Sequence, residues 1–193
     1  VVDKDGNVVS MTTSIENAFG SGLMANGYLL NNELTDFAFN PVGVDGKTVA
    51  NSVAGGKRPR SSMAPTIVMK DGKPYLAVGS PGGSRIISTV LQVIVNVLDF
   101  RMNLAEAVAA PRIHHQWQPD VLMAEEGLSP DTLALLRARG HTVRVGATSG
   151  SANSVQAAGG LLWGAADPRQ RFLDALEAAA DDDDAVDARH EAQ

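Results

Sequence analysis

Stretches of mostly apolar, β-prone residues flank a tight turn at three places along the chain, and each place predicts a β-hairpin. The turns fall at Asp5-Gly6-Asn7, Asp71-Gly72 and Gly159-Gly160. The arms of the three hairpins are residues 1–3 with 8–13, 66–69 with 74–78, and 154–158 with 161–165. Three hairpins indicate a mainly antiparallel sheet.

Apolar residues recur at helical spacing in other segments. The run Arg85 to Leu98 is apolar enough to predict a largely buried helix. A short helix is predicted over Asn103–Ala110, and a third begins after the N-cap residue Ser129 and ends at Gly140. The segments flanking this third helix are predicted strands at 121–124 and 142–145.

The order of these elements predicts an α+β fold in which helices cover a sheet. Residues 41–58 are rich in Gly, Val and Asn and show no helical period, so we expect a long loop there, of the kind that covers a site. We expect one catalytic domain over residues 1–171. From 172 to 193 the chain is rich in Ala and Asp, which predicts a terminal helix followed by an acidic, solvated tail.

The chain of 193 residues has a net charge of −6 and contains no cysteine. This charge argues against a nucleic-acid or anionic-membrane surface, since both need clustered Lys and Arg. Disulfides and thiolate-bound metals are excluded. No apolar run is long enough for a membrane span, and the first residues resemble neither a signal peptide nor a natural start. We therefore expect a processed or truncated piece, with any targeting signal upstream.

A glycine turn between the second hairpin and the long helix is the strongest candidate for chemistry. The order strand, Gly82-Gly83, helix aims backbone N–H groups outward near the positive end of a helix, where they can hold negative charge. Two successive glycines also let another molecule approach the backbone. From these residues alone, the turn serves either a bound anion, such as a phosphate, or the oxyanion of an acyl-transfer intermediate.

Two polar clusters add to the glycine turn. Ser61 and Ser62 precede the second hairpin, and Glu33 and Asp36 follow an apolar stretch. Paired hydroxyls can donate to a carboxylate, and paired carboxylates can accept from an ammonium. Together the clusters suit the two charged ends of an amino acid, although serine pairs and exposed acids are more often only turns and solvated surface.

The ordered set of motifs resembles the small, C-terminal subunit of the gamma-glutamyltranspeptidase family of N-terminal-nucleophile hydrolases. The resemblance covers nearly the whole chain, and no single motif carries it. The matching segments begin Val1-Val2-Asp3-Lys4-Asp5-Gly6-Asn7 and end Gly164-Ala165-Ala166-Asp167-Pro168-Arg169; between them lie 18–22, 30–37, 57–63, 79–85 and 111–117.

The resemblance implies a four-layer α/β/β/α sandwich that a large subunit of the same proenzyme completes. It also implies self-cleavage that creates a new N-terminal threonine, whose hydroxyl attacks a gamma-glutamyl amide with its own α-amine as base. Glutathione is the family's usual donor. The family uses no cofactor or metal, and such enzymes are usually periplasmic or secreted.

Carried over residue by residue, the resemblance makes Gly82 and Gly83 the oxyanion hole. Glu33 and Asp36 would bind the substrate ammonium. Ser14 falls where the family has a threonine whose hydroxyl supports the nucleophile. The remaining pair, Ser61 and Ser62, would bind the substrate carboxylate.

Two departures from the family pattern stand out. The family's threonine nucleophile should lie just upstream of Val1, so we expect either missing first residues or an inactive, truncated piece. Thr12 and Thr13 are no substitute, because both fall in a predicted strand without a free α-amine. Glu16 stands where family members carry an asparagine near the substrate amine, which leaves a related glutaryl or cephalosporin acylase as an alternative.

Four other interpretations are weaker. His114-His115 suggests a metal, but adjacent strand residues point to opposite faces, and we expect a structural role. The segment Asp3–Asn7 lacks the spacing of a calcium loop. A nucleotide module built on Gly82-Gly83 lacks the Lys-Ser/Thr ending of a phosphate loop. A non-catalytic piece that only binds a partner subunit also remains an alternative.

Overall fold

The computed structural model describes residues 1–146 and 150–170. Its tertiary contacts divide the chain into two compact units, a larger one of Val1–Thr12 and Met63–Gln193 and a smaller one of Thr13–Ser62. In chain order the strands and helices are β1 (Met24–Ala25), β2 (Tyr28–Leu29), β3 (Thr66–Lys70), β4 (Lys73–Val78), α1 (Ile86–Leu98), α2 (Leu104–Ala109), β5 (Ile113–His115), β6 (Leu122–Glu125), α3 (Pro130–Ala138), β7 (Val143–Gly146), β8 (Ser154–Ala158) and β9 (Leu161–Ala165).

An antiparallel four-stranded sheet, in the order β3-β4-β8-β9, forms the centre of the larger unit. Its two outer pairs are the second and third predicted hairpins, both confirmed. The turn residues Asp71, Gly72, Gly159 and Gly160 all have positive φ, between 50° and 75°. Two successive positive φ values give the tight turn whose twist matches antiparallel strands.

The first predicted hairpin is only partly formed. Val2 and Val8 make an isolated antiparallel bridge, and the amide of Val9 donates to the carbonyl of Val1 at 2.9 Å. The predicted strand over residues 8–13 is wrong beyond that point. Beyond Val9 the segment makes no strand pairing with any described residue. Instead, the Ser10 side chain contacts β4, where its Oγ donates to the carbonyl oxygen of Val78 at 3.2 Å.

Helices α1 and α2 cover one face of this sheet and build the core. The buried face of α1 includes Val90, Val93 and Val97, which pack in one cluster with Leu76 and Val78 of β4. The same cluster takes in the buried residues of α2, which are Leu104, Ala107 and Val108. Both helices agree with the prediction, and α2 begins at a capping box formed by Asn103 and Glu106.

A second sheet of three strands has the order β5-β6-β7. Strands β6 and β7, and the helix α3 that joins them, agree with the prediction. Ser129 caps α3 through its hydroxyl, which accepts from the Thr132 amide at 3.2 Å. The pair β6-β7 is parallel, an exception in a mainly antiparallel protein. Strand β5, which was assumed from the sequence only at His114-His115, pairs with β6 in the antiparallel direction.

The smaller unit has little regular structure. Its hairpin β1-β2 turns at Asn26 and Gly27, and a single turn of 3-10 helix spans Glu33–Asp36. The predicted long loop, residues 41–58, contains no helix or strand and only an isolated bridge between Val42 and Thr48.

The predicted terminal helix and acidic tail, residues 172–193, lie outside the described residues. Within residues 1–146 and 150–170, no helix has the length and apolar character that crossing a membrane requires.

Candidate active site

The glycine turn lies between β4 and α1, and it leads into α1 through one turn of 3-10 helix, Gly83–Arg85. Gly82 has φ +132° and Gly83 has φ +56°, which are values that residues with a side chain rarely adopt. Both glycines are exposed, and no described residue accepts a hydrogen bond from their amides. Two neighbouring N–H groups are therefore available to an anion or an oxyanion.

Contacts from a distant segment hold the residues just before this turn. Ser80 is buried; its hydroxyl donates to the carbonyl of Pro81 at 2.6 Å and accepts from the amide of Ser151 at 3.0 Å. Gly150 lies so close that a Cβ there would be 2.5 Å from Ser80 Oγ and 2.9 Å from the Pro81 carbonyl oxygen. The conformation of the turn therefore depends on a segment about seventy residues away.

That segment is in turn anchored to a buried network of charges. Asp167 accepts from the Ala152 amide at 2.7 Å and from Arg112 Nη2 at 2.6 Å. Arg169 lies between the acids, with Nη1 3.0 Å from Asp167 Oδ1 and Nη2 2.5 Å from Glu125 Oε2. All four charged side chains are buried, and their formal charges cancel. Two arginines and two acids thus form a neutral cluster beneath the turn-holding segment.

The pKa values in this network follow from burial and pairing. Burial alone would raise the pKa of Asp167, but hydrogen bonds from the Ala152 amide and Arg112 lower it below its ordinary value. Burial also lowers the pKa of Arg112, with Asp167 opposing the shift. Burial alone would lower the pKa of Arg169, but the hydrogen bonds that its guanidinium donates to Glu125 and Asp167 outweigh burial and raise the pKa. The carboxylate form of Asp167 is therefore stabilised by folding.

The smaller unit brings Ser14 and Glu16 together. Ser14 Oγ accepts from the Glu16 amide at 2.8 Å, and Glu16 Oε2 accepts from Asn32 Nδ2 at 2.8 Å. Glu16 has φ +74°, a left-handed conformation that asparagine tolerates better than glutamate. The backbone conformation at Glu16 would therefore suit asparagine as well, and the carboxylate of Glu16 is hydrogen-bonded to Asn32.

Glu33 and Asp36 begin and end the 3-10 helix of the smaller unit, and both are half-buried. The side chain of Asn51 connects this helix to the segment that carries Ser61 and Ser62. Its Nδ2 donates to the Asp36 carbonyl at 2.6 Å, and its Oδ1 accepts from the amide of Arg60 at 3.0 Å. The two polar clusters that the sequence singled out are therefore joined through one side chain.

The two histidines make hydrogen bonds with nearby protein groups. His114 Nδ1 is 2.8 Å from Ser88 Oγ, and its Nε2 is 2.9 Å from Gln116 Oε1. His115 Nε2 is 3.0 Å from Asp120 Oδ1. Among the residues that the structure describes, no group of three or more His, Asp or Glu side chains is arranged to hold a metal ion.

Comparison with known proteins identifies the family. A sequence model described as Gamma-glutamyltranspeptidase matches residues 1–175. The chain belongs to this family. Its resemblance to gamma-glutamyltranspeptidases, inferred above from the motifs, is thereby confirmed.

Individual members of the gamma-glutamyltranspeptidase family agree with this assignment. The glutathione hydrolase proenzyme of Escherichia coli K12 is 52% identical over 180 residues, which are 88% of this chain and 30% of that protein. A mutant gamma-glutamyltranspeptidase from Helicobacter pylori is 45% identical with a TM-score of 0.79, over 88% of this chain and 97% of that chain. The enzyme from Pseudomonas nitroreducens, solved with L-DON, is 40% identical with a TM-score of 0.76, over 88% and 93%. The predicted α+β fold of an N-terminal-nucleophile hydrolase is confirmed, and the chain spans about a third of the E. coli relative.

Sequence reasoning missed several residues that shape this gamma-glutamyltranspeptidase chain. Asn51, Ser80 and Gly150 were not singled out, and the roles of Arg112 and Asp167 were not recognised. Asn51 lies in a loop without periodicity, and its partners are 15 and 9 residues away. Arg112 and Asp167 are 55 residues apart, so no local pattern joins them. Arg112 and Asp167 each stand among apolar or small residues in the sequence, and this placement was the available signal that their charges are buried.

Proposed function

We propose that this chain is the small subunit of an enzyme that transfers or hydrolyses gamma-glutamyl groups, with glutathione and related amides as donors. The observation that carries the proposal is the pair of exposed amides at Gly82 and Gly83, which no described residue engages. Neighbouring N–H donors of this kind stabilise the oxyanion of an acyl-transfer intermediate. The names of the E. coli and Bacillus subtilis relatives, glutathione hydrolase proenzymes, support the choice of reaction.

The nucleophile is proposed to be a threonine just upstream of Val1, freed by self-cleavage of a proenzyme. Its hydroxyl oxygen bonds to the gamma-carbonyl carbon while its proton passes to the threonine's own α-amine. The carbonyl oxygen becomes an oxyanion that accepts from Gly82 and Gly83. Collapse of this intermediate breaks the amide bond, and the leaving amine takes the proton. Water or an acceptor amine then attacks the acyl-enzyme and regenerates the threonine.

Ser14 is proposed to support the nucleophile through its hydroxyl. Its Oγ already accepts from the Glu16 amide at 2.8 Å, so its own proton is left to donate. This arrangement suits a hydroxyl that hydrogen-bonds to the threonine oxygen.

The two charged ends of the glutamyl group are proposed to bind in the smaller unit. Glu33 and Asp36, with Glu16, accept from the α-ammonium, while Ser61 and Ser62 donate to the α-carboxylate. Charge-assisted hydrogen bonds of this type are about twice as strong as neutral ones. A donor that carries both charges is therefore favoured over a simple amide.

The larger assembly is proposed from the family. A large subunit of the same proenzyme completes the four-layer α/β/β/α sandwich, and residues 1–171 act as one catalytic domain within it. Residues 41–58 form a lid over the glutamyl pocket. The mature enzyme is periplasmic or secreted, and its substrate is a small gamma-glutamyl compound.

The test uses the full proenzyme, expressed so that both subunits are present. Release of p-nitroaniline is measured from a gamma-glutamyl anilide and from a glutaryl anilide, and the mass of the small subunit is determined. Turnover of the first substrate together with an N-terminal threonine before Val1 supports the proposal. A gene without that threonine, or a mature protein without turnover, contradicts it.

The same assay separates the alternatives. Preferential turnover of the glutaryl anilide would indicate a related acylase, which the carboxylate at Glu16 makes worth testing. A partner-binding subunit would mature and associate but turn over neither substrate. Thermal protection by a nucleotide at millimolar concentration would instead support the phosphate-binding interpretation of Gly82-Gly83.

A further inference from the structure

We propose that Asn51 is a positioning residue that fixes the spacing between the ammonium-binding and carboxylate-binding groups of the smaller unit. The inference rests on the proposed function, in which Asp36 binds the ammonium and Ser61 and Ser62 bind the carboxylate. Asn51 itself is not proposed to touch the substrate. It acts on both groups through the backbone that carries them.

The contacts of Asn51 are specific and use its side chain in both directions. Nδ2 donates to the carbonyl of Asp36 at 2.6 Å, and Oδ1 accepts from the amide of Arg60 at 3.0 Å. The carbonyl of Asn51 also accepts from the Ala38 amide at 2.9 Å. One half-buried residue therefore holds the backbone at Asp36 and Ala38 and the backbone one residue before Ser61.

Only a side-chain amide combines these two roles at this length. A carboxylate accepts but cannot donate to the Asp36 carbonyl, and an apolar side chain does neither. Glutamine has the same groups on a longer stem. The paired geometry thus explains why an asparagine stands in a segment that otherwise consists of small and apolar residues.

The bridge matters because a long irregular segment separates the two groups it joins. Between Asp36 and Arg60 the chain has no helix or strand, so few backbone hydrogen bonds fix the distance across it. Without Asn51, the serines and the acids would move more freely relative to each other. The distance between the groups that bind the ammonium and the carboxylate would then vary. Substrate affinity would fall more than the rate of the chemical step.

The experiment compares Asn51→Leu and Asn51→Asp with wild type in the full two-subunit enzyme. Both replacements are close to asparagine in size; the first removes both contacts, and the second keeps only the acceptor. The matched control is Asn26→Asp, which makes the same change in the same unit at a hairpin turn that tolerates Asp-Gly. Kinetics are measured on L- and D-gamma-glutamyl p-nitroanilide, together with the melting temperature.

We expect Asn51→Leu to raise KM for the L substrate about tenfold while kcat changes less than about threefold, as for the loss of two neutral hydrogen bonds. Asn51→Asp should also raise KM. This second result is decisive, because an added negative charge alone would attract the ammonium and lower KM. The ratio of kcat/KM for the L over the D substrate should fall in both variants and stay constant in Asn26→Asp.

The L/D ratio distinguishes positioning from a merely structural role. A destabilised protein has fewer active molecules, which lowers the rates of both isomers equally and leaves the ratio and KM unchanged. A lower melting temperature with an unchanged ratio would therefore overturn the inference. Failure of both Asn51 variants to mature, while Asn26→Asp matures, would overturn it as well. Wild type without turnover would instead reject the proposed function, and the inference with it.

Discussion

At the scale of single residues, Asp36 offers the most direct test of substrate binding. It is half-buried at the end of a 3-10 helix, and its backbone is held by Asn51. Removing one partner of a desolvated charge pair typically costs about 2–5 kcal/mol. We therefore expect Asp36→Ala to lower kcat/KM for the gamma-glutamyl anilide by about two to three powers of ten.

The control for this prediction is Asp99→Ala, which removes an exposed carboxylate beyond the end of α1. Its kinetics should match those of wild type. Full activity in Asp36→Ala would rule out an ammonium-binding role for this carboxylate.

A second residue-scale prediction concerns Gly82 and Gly83, the proposed oxyanion donors. Gly82→Ala forces a side chain onto a residue with φ +132°, and the new Cβ would lie 3.4 Å from the Cα of Gly150. The turn must then shift and move its N–H groups. Because removal of one oxyanion donor costs about 10² to 10³ in kcat, we expect a loss in that range with little change in KM.

The matched control is Gly72→Ala, at a hairpin turn with φ +74° and open space around the added Cβ. Its φ lies near the left-handed region that residues with a side chain sometimes adopt, so Gly72→Ala should lower the melting temperature less than Gly82→Ala, whose φ of +132° lies outside that region. If its kcat fell as far as that of Gly82→Ala, strain rather than lost oxyanion stabilisation would be the cause.

The sequence could indicate these candidate residues only because each lies in a short motif. Gly82-Gly83 follows a strand and precedes a helix, and Ser61-Ser62 is a local pair. Asn51 has no such signal, since the partners of its side-chain hydrogen bonds are 15 and 9 residues away. The roles of the candidate residues themselves stay predictions until substrate kinetics test them.

At the scale of secondary structure elements, the glycine turn depends on the segment that precedes β8. Gly150 has φ +71°, and a Cβ there would be 2.5 Å from Ser80 Oγ. Overpacking in a tight site typically costs about 1–3 kcal/mol. We expect Gly150→Ala to lower the stability by about that amount and kcat by at least tenfold, because the new side chain pushes on Ser80 and Pro81.

Thermal melting and steady-state kinetics of the two-subunit enzyme check this prediction. The double variant Gly150→Ala, Ser80→Gly removes the hydroxyl that the new Cβ would meet and serves as the comparison. If the clash with Ser80 is the cause, the double variant should be more stable than the sum of the two single changes. Strict additivity would contradict this account of how the turn is held.

The elements themselves were largely predictable where local chemistry decides them. The turn Asp71-Gly72 and the cap at Ser129 were recognised because their residues act on neighbours in the chain. The hairpin at Asn26-Gly27 carries an equally strong turn signal but was missed, since its strands have only two residues each. Strand β5 was assumed only at His114-His115, because it has three residues and exists through its pairing with β6.

At the scale of the whole molecule, the buried network joins parts of the larger unit that are distant in sequence. Arg112 follows α2, Glu125 ends β6, and Asp167 and Arg169 follow β9. Arg169 also donates to the carbonyls of Val108 and Ala110, at 3.0 and 2.9 Å. The cluster therefore accounts for carbonyl groups at the C-terminal end of α2, and it links β6 of the three-stranded sheet to the residues that follow β9 of the four-stranded sheet. No pattern within one segment could reveal these contacts.

Breaking such a cluster from one side leaves an uncompensated buried charge. Asp167→Asn keeps the shape of the side chain but leaves Arg112 and Arg169 with one carboxylate between them. Removal of one partner from a buried ion pair typically costs about 3–5 kcal/mol. We expect a loss of that size at pH 7, measured by denaturant unfolding or by the melting temperature of the two-subunit enzyme.

The loss should depend on pH in a definite direction. The pKa of Asp167 is lowered on folding, so its carboxylate contributes stability above its unfolded pKa of about 3.9, and this contribution is lost as the pH falls through the lower folded pKa. The stability gap between wild type and Asp167→Asn should therefore be constant near neutral pH and narrow below about pH 4. Asp99→Asn, at an exposed carboxylate, should show a small gap at every pH. A gap for Asp167→Asn that stayed constant into strong acid would mean that the carboxylate charge is not what holds the segment beneath Gly82.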